Sequence, residues 1–128
     1  MRLLLDTHAF LWWVADVPDL SGKARRTMAA ARNECYVSVA SCWEIAIKCS
    51  LGKLTIAGTL ERFLPEQLST NGFRELPIEV RHAARVARLP FHHRDPFDRL
   101  LVAQALEEEL SIVSADPIFQ RYGVKRVW

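Results

Sequence analysis

MRLLLDTHAF, residues Met1 to Phe10, decides the fold. Arg2 to Leu5 is an apolar run too short to be a helix, and Asp6 stops it. From Thr7 to Ala15 the apolar residues Phe10, Leu11 and Trp12 to Val14 recur at helical spacing. The stretch therefore reads as a buried strand, a polar turn and a helix. The same pattern returns in VSVASCWEIAIK (Val37 to Lys48), HRDPFDRLLVAQA (His93 to Ala105) and SIVSADPIF (Ser111 to Phe119). Each places an acid at or near a helix start: Asp6, Glu44, Asp98 and Asp116.

Further strands are expected at Cys35 to Val39, Phe73 to Leu76, Ser111 to Val113 and Val124 to Val127. Helices are expected at Ser21 to Arg32, Ser41 to Leu51 with Gly52 capping its end, and Leu60 to Ser69 with a break at Pro65. Ile78 to Arg88 carries Val80, Ala83, Ala84 and Ala87 as an apolar stripe. Pro96 to Leu110 opens with proline in its first turn, and a short helix lies near Ile118. Strands alternating with helices give an α/β chain whose mostly parallel central sheet is covered on both faces. In such sheets ligands bind outside the carboxyl ends of the strands, where these acids fall.

The 128 residues read as one domain, 1–128, half of them hydrophobic and without repeat or linker. No apolar run approaches the roughly 20 residues that span a bilayer, and Asp6 interrupts any secretory leader. A soluble, cytoplasmic protein is expected, with Cys35, Cys42 and Cys49 as reduced thiols. Net charge is +2, so the shell around four reserved acids is basic, which suits an anionic substrate.

Each acid also has a structural reading. Asp6 and Asp116 can cap helices, and Asp95 is a good N-cap with Asp98 a first-turn acid. Glu44 follows Ser41 by three residues, the spacing of a capping box, and precedes Lys48 by four, the spacing of a helical salt bridge. Four carboxylates at one edge repel unless a cation holds them, and oxygen-only ligation suits Mg²⁺ or Mn²⁺. His92 and His93 are expected as a solvated pair, and Trp12, Trp13 and Trp43 as core or interface residues.

The chain resembles PIN-domain ribonucleases, and among them the toxin subunits of VapBC toxin–antitoxin pairs. The resemblance rests on Asp6-Thr7-His8, on Trp43 to Lys48, on Arg94 to Ala105 and on Ser114-Ala115-Asp116, and runs almost end to end. It implies a PIN-like three-layer α/β/α sandwich and a metal-dependent endoribonuclease that inhibits growth. Asp6, Glu44, Asp98 and Asp116 would be catalytic and bind Mg²⁺ or Mn²⁺, with Ser114 and Thr7 in support. Lys48, Arg94 and Arg99 would contact RNA phosphates. The implied partners are RNA, a VapB-like antitoxin protein and a second copy in a homodimer. One alternative is a catalytically silent RNA- or protein-binding module of the same fold. A metal-dependent phosphatase is disfavoured, since that chemistry needs an Asp where His8 stands.

Overall fold

Leu3, Leu4 and Leu5 are all fully buried, so β1 (Arg2–Leu5) is covered on both faces. A computed structural model describes residues 1–128 and shows why. Side chains alternate along a strand. Leu3 and Leu5 pack with Ala9 and Phe10 of α1 (Thr7–Ala15) and with Ala24 and Met28 of α2 (Gly22–Ala29). Leu4 packs on the opposite face with Leu101, Val102 and Ala105 of α6 (Pro96–Glu108) and Phe119 of α7 (Ile118–Arg121). Each such leucine contributes roughly 1.5–3 kcal/mol by leaving water.

β1 lies at the centre of a five-stranded sheet in the order β3-β2-β1-β4-β5. The others are β2 (Glu34–Ser38), β3 (Arg74–Leu76), β4 (Ser111–Val113) and β5 (Arg126–Val127), and every pairing is parallel. The register sets Leu5 beside Val37 on one side and Val113 on the other. All five carboxyl ends therefore share one edge. The expected α/β sandwich with a parallel sheet is the observed one.

Three local expectations change. Ser38, not Ser41, caps α3 (Val39–Ser50), accepting from the Ala40 N–H at 3.0 Å. β2 thus ends a residue early, and Ser41 and Glu44 lie inside the helix rather than forming a capping box. α4 (Leu60–Asn71) runs unbroken through Pro65. Pro65 is exposed, so water can serve the carbonyl whose helical donor it removes.

The third change is the orientation of α5 (Val80–Val86). Its apolar stripe faces outward: Val80 is 86% exposed, and Ala83, Ala84 and Ala87 are exposed too. The inward side carries His82, which is fully buried, with Val86 and then Leu89. His82 Nδ1 accepts from the Glu79 N–H at 3.0 Å, and its Nε2 meets Glu108 Oε1 at 2.9 Å. The second contact ties that face to α6. Alanines offer too little apolar area to reverse the choice.

A second buried polar link joins sheet to helix. Ser38 Oγ donates to Gln104 Oε1 at 2.5 Å, and Gln104 Nε2 donates to the Pro77 carbonyl at 3.2 Å. Both side chains are fully buried. Gln104→Leu keeps the volume but strands both partners. Urea unfolding of this variant should show a loss of about 2 kcal/mol with an unchanged slope.

Candidate active site

Five of the residues singled out for function, Asp6, Thr7, Glu44, Asp98 and Asp116, line one cleft of about 210 Å³. His8, Asp95 and Phe119 complete the lining. The cleft sits at the carboxyl edge of the sheet, where strand order reverses around β1.

Asp6 follows β1 directly and is 8% exposed. It N-caps α1, accepting from the Ala9 N–H at 2.7 Å. The residue that caps the helix is thus also one that lines the cleft. Burial pushes its carboxyl above the usual range, while the Ser114 hydroxyl and the Ala9 N–H favour the ionised form. Ser114 is fully buried after β4, and its oxygen accepts from the Asp116 N–H at 3.0 Å. That bond leaves its hydroxyl proton for Asp6. Ser114 thereby sits between two of the acids.

Glu44 lies in α3, on the turn that faces Thr7. Thr7 Oγ1 is 2.7 Å from Glu44 Oε1 and 3.0 Å from Ser41 Oγ. A carboxylate only accepts, so the Thr7 proton goes to Glu44. Lys48 Nζ holds the other oxygen at 3.0 Å. Glu44 therefore has a partner on each oxygen and a fixed direction. The Ser41 spacing that suggested a helix cap instead supports the Thr7 hydroxyl.

Asp95 caps α6 through the N–H groups of Phe97 at 2.9 Å and Asp98 at 3.2 Å. Asp98 is then in the first turn, where the positive helix end favours a carboxylate. Burial nevertheless pushes it up to about 6, with the Asp95 charge adding to the rise. Asp116 is exposed and accepts from the Ile118 N–H at 2.9 Å.

The donor set of the cleft is carboxylate and hydroxyl oxygen, with His8 at its rim. Such oxygens suit a hard divalent cation, Mg²⁺ or Mn²⁺. Asp6, Glu44, Asp98 and Asp116 are the residues that could hold one. A tighter grouping, with ligand atoms within 4.8 Å, joins Glu79, His82 and Glu108. Both ring nitrogens of His82 are already occupied there, so this group reads as the α5–α6 tie described above. Its hydrogen bond to His82 holds the Glu108 carboxyl below its ordinary range.

Several polar residues depart from expectation. Arg99, grouped with Lys48 and Arg94 as a phosphate contact, is buried. Its guanidinium donates to the carbonyls of Pro90 at 2.8 Å, Leu89 at 3.3 Å and Val86 at 3.4 Å, and to Tyr122 Oη at 3.2 Å. Both terminal nitrogens of the fork are thus taken up inside the protein. Lys48 is engaged by Glu44, and Arg94 is exposed. His92 and His93 are half-buried rather than solvated, and both pack on the Tyr122 ring. Trp43 is 59% exposed and meets Phe97 edge-on, so it is no core residue. Trp12 and Trp13 pack against the core as expected. Tyr122 carried no sequence signal for the site, while His8 entered only as part of the Asp6-Thr7-His8 motif and His93 only as one of a solvated pair. Only the fold brings the loop before α6 and the end of α7 to the acid.

The fold and the acid-lined cleft define a class: a parallel α/β domain with an oxygen-donor site at its carboxyl edge. Comparison with known proteins specifies it. Residues 3–125 match the profile of the PIN domain. The chain is 31% identical to Ribonuclease VapC22 of Mycobacterium tuberculosis over 115 residues, 89% of this chain and 86% of that one. It superposes on VapBC2 from Rickettsia felis, bound to a promoter DNA fragment, with a TM-score of 0.72, 15% identity and full coverage of both chains. VapBC from Salmonella typhimurium gives 0.69 at 15% identity, covering 98% of this chain and 96% of that one. VapBC-1 from nontypeable Haemophilus influenzae gives 0.66 at 16%, with the same coverage. At these identities the structures speak to fold alone. The chain belongs to the PIN-domain family, among its VapC-type members.

The raised carboxyls have a consequence for stability. A group that binds its proton more tightly when folded destabilises the fold once ionised. For Asp98 the penalty grows as pH rises from about 3.8, its ordinary value, and is complete above about 6. In the presence of chelator, Asp98→Asn should raise unfolding free energy at pH 7.5 by about 1–3 kcal/mol and change little at pH 4. Urea melts at the two pH values check this. A helix-cap role alone predicts the opposite sign at pH 7.5.

Proposed function

We propose that this protein is a metal-dependent endoribonuclease and the growth-inhibiting toxin of a type II toxin–antitoxin pair. The observation that carries the proposal is the convergence of Asp6, Glu44, Asp98 and Asp116 on one cleft from four separated segments. Membership of the VapC-type PIN domains supports the reaction class, since the relative in Mycobacterium tuberculosis is named a ribonuclease. The 128 residues act as one nuclease domain in the cytoplasm. No helix is long and apolar enough to cross a membrane.

In this reading the four acids hold one or two Mg²⁺ or Mn²⁺ ions. Such an ion supplies Lewis acidity, lowering the pKa of attacking water and offsetting phosphate charge. The protein's own groups fix the site. Ser114 and the Ala9 N–H favour ionised Asp6, and Thr7 with Lys48 aims Glu44. The cleft offers no lysine as general base, and the mechanism needs none. Arg94 and other exposed cations of the basic shell draw in the RNA backbone. The working assembly is a homodimer blocked by a VapB-like protein. Several structural neighbours are VapBC complexes, which supports that partner.

Two experiments test the proposal. Purified protein should cleave RNA with Mg²⁺ or Mn²⁺ and stop on addition of EDTA. Asp6→Asn and Asp98→Asn should each lose more than the roughly 100-fold that removal of an outer metal-site partner costs. Cleavage that continues in EDTA, or hydrolysis of phosphate monoesters with no action on RNA, would overturn the mechanism.

In bacteria, induction of the wild-type chain alone should arrest growth, and co-expression of its antitoxin should restore it. Asp98→Asn should abolish the arrest. Arrest that survives in a folded Asp98→Asn protein but is lost in Asp95→Asn would mean that Asp95 holds the third acid position.

A further inference from the structure

Asp98 is the one cleft acid whose side chain meets an imidazole, and the chain of bonds behind that imidazole reaches deep into the fold. His93 Nε2 lies 3.3 Å from Asp98 Oδ2, and His93 Nδ1 lies 2.7 Å from Tyr122 Oη. Two N–H groups already donate to that phenol oxygen: Arg99 Nη1 at 3.2 Å and the His93 backbone N–H at 3.3 Å. A phenol has two acceptor sites and one proton. With both acceptor sites taken, its proton has one destination, His93 Nδ1. The ring proton must then sit on Nε2, where it faces the carboxylate. The buried Arg99 fork fixes this arrangement from below, through the carbonyls of Val86, Leu89 and Pro90.

We propose that His93 is a positioning residue for the cleft. Tyr122 and Arg99 hold its ring in the Nε2–H tautomer, and that N–H binds Asp98 Oδ2 and turns the other carboxylate oxygen toward the cation site. The inference rests on the metal-dependent reading of the cleft. It adds a role for three residues that touch neither cation nor RNA. A ligand whose direction is set by an outer hydrogen bond binds its ion more tightly than one free to rotate.

The test compares His93→Leu, His93→Gln and Tyr122→Phe with wild type. Mn²⁺ affinity is read by titration calorimetry, and RNA cleavage is read as separate kcat and KM. His93→Leu should weaken Mn²⁺ binding by about 10- to 100-fold and lower kcat to a similar extent, with KM for RNA nearly unchanged. His93→Gln retains an N–H at the ε position and should recover most of both losses. Tyr122→Phe should shift both in the same direction as His93→Leu. Nitrogen-15 spectra of metal-free wild type should show His93 protonated at Nε2 and bare at Nδ1, and Tyr122→Phe should lose that signature.

Wild-type Mn²⁺ affinity and kcat in a folded His93→Leu protein would overturn the proposal and leave the nuclease reading intact. Equal losses in the Leu and Gln variants would also overturn it, since they would mark a packing role. Wild-type protein that binds Mn²⁺ yet cuts no RNA would sink the nuclease reading, while the affinity series still decides the role of His93. Wild-type protein that binds no Mn²⁺ would overturn both.

Discussion

The Asp6 N–H donates to the Val113 carbonyl at 3.0 Å, and the acid-lined end of the molecule depends on that bond. It carries the β1–β4 pairing one residue beyond Leu5 and pins the backbone of the first acid beside the end of β4. Ser114 follows Val113 immediately, so its buried hydroxyl is delivered to the Asp6 carboxylate. Asp116 comes two residues later and closes onto Ser114 through its own N–H. A single parallel register thus brings Asp6, Ser114 and Asp116 together. A shift of one residue would turn Leu3 and Leu5 to the other face of the sheet and take Asp6 off the edge. Hydrophobic burial of β1 on both faces therefore also protects the geometry of the cleft.

Electrostatics opposes what the sheet imposes. Desolvation raises Asp6 and Asp98, and Asp95 adds its charge to the strain on Asp98. The protein offsets this with groups that favour the ionised form: the Ser114 hydroxyl, the Ala9 N–H and His8 at Asp6, and the His93 ring at Asp98. The offset is partial, because both carboxyls remain above their ordinary range. A site left in this condition favours any cation that enters it. Under the proposed function, stability given up at the cleft would become affinity for a cation, and the two sheet-facing clusters of buried leucine, valine and phenylalanine supply the margin.

What was legible in the sequence follows from the range of the interactions involved. Strand β1, helix α6 and the four acids were legible because apolar runs, proline and capping acids act within a few residues. The start of α3 was not, since Ser38 and Ser41 are both plausible caps locally. Burial of Ser38 against Gln104, 66 residues away, decides between them. The outward stripe of α5 was misread for a related reason. Periodicity shows that a helix has an apolar face, but not that a buried histidine opposite it holds the stronger partners. Arg99 was misplaced because a basic residue beside an acid looks like a phosphate contact until three carbonyls from another loop surround it.

The segment from Asp95 to Gln104 shows how function and folding share one helix. Asp95 starts it, Asp98 faces the cleft, Leu101 to Ala103 fill the core, and Arg99 and Gln104 are buried polar anchors. Arg99 binds the loop that precedes the helix, and Gln104 binds the end of β2 and the Pro77 carbonyl beyond β3. The helix is therefore located at two points along its length by buried hydrogen bonds, and a buried polar group left without a partner costs more than its bond contributes. That asymmetry makes the anchors a check on assembly. A displacement of α6 by a turn would take Arg99 from the carbonyls of Val86, Leu89 and Pro90 and Gln104 from Ser38 and Pro77. The carboxylate at Asp98 inherits its position from that constraint.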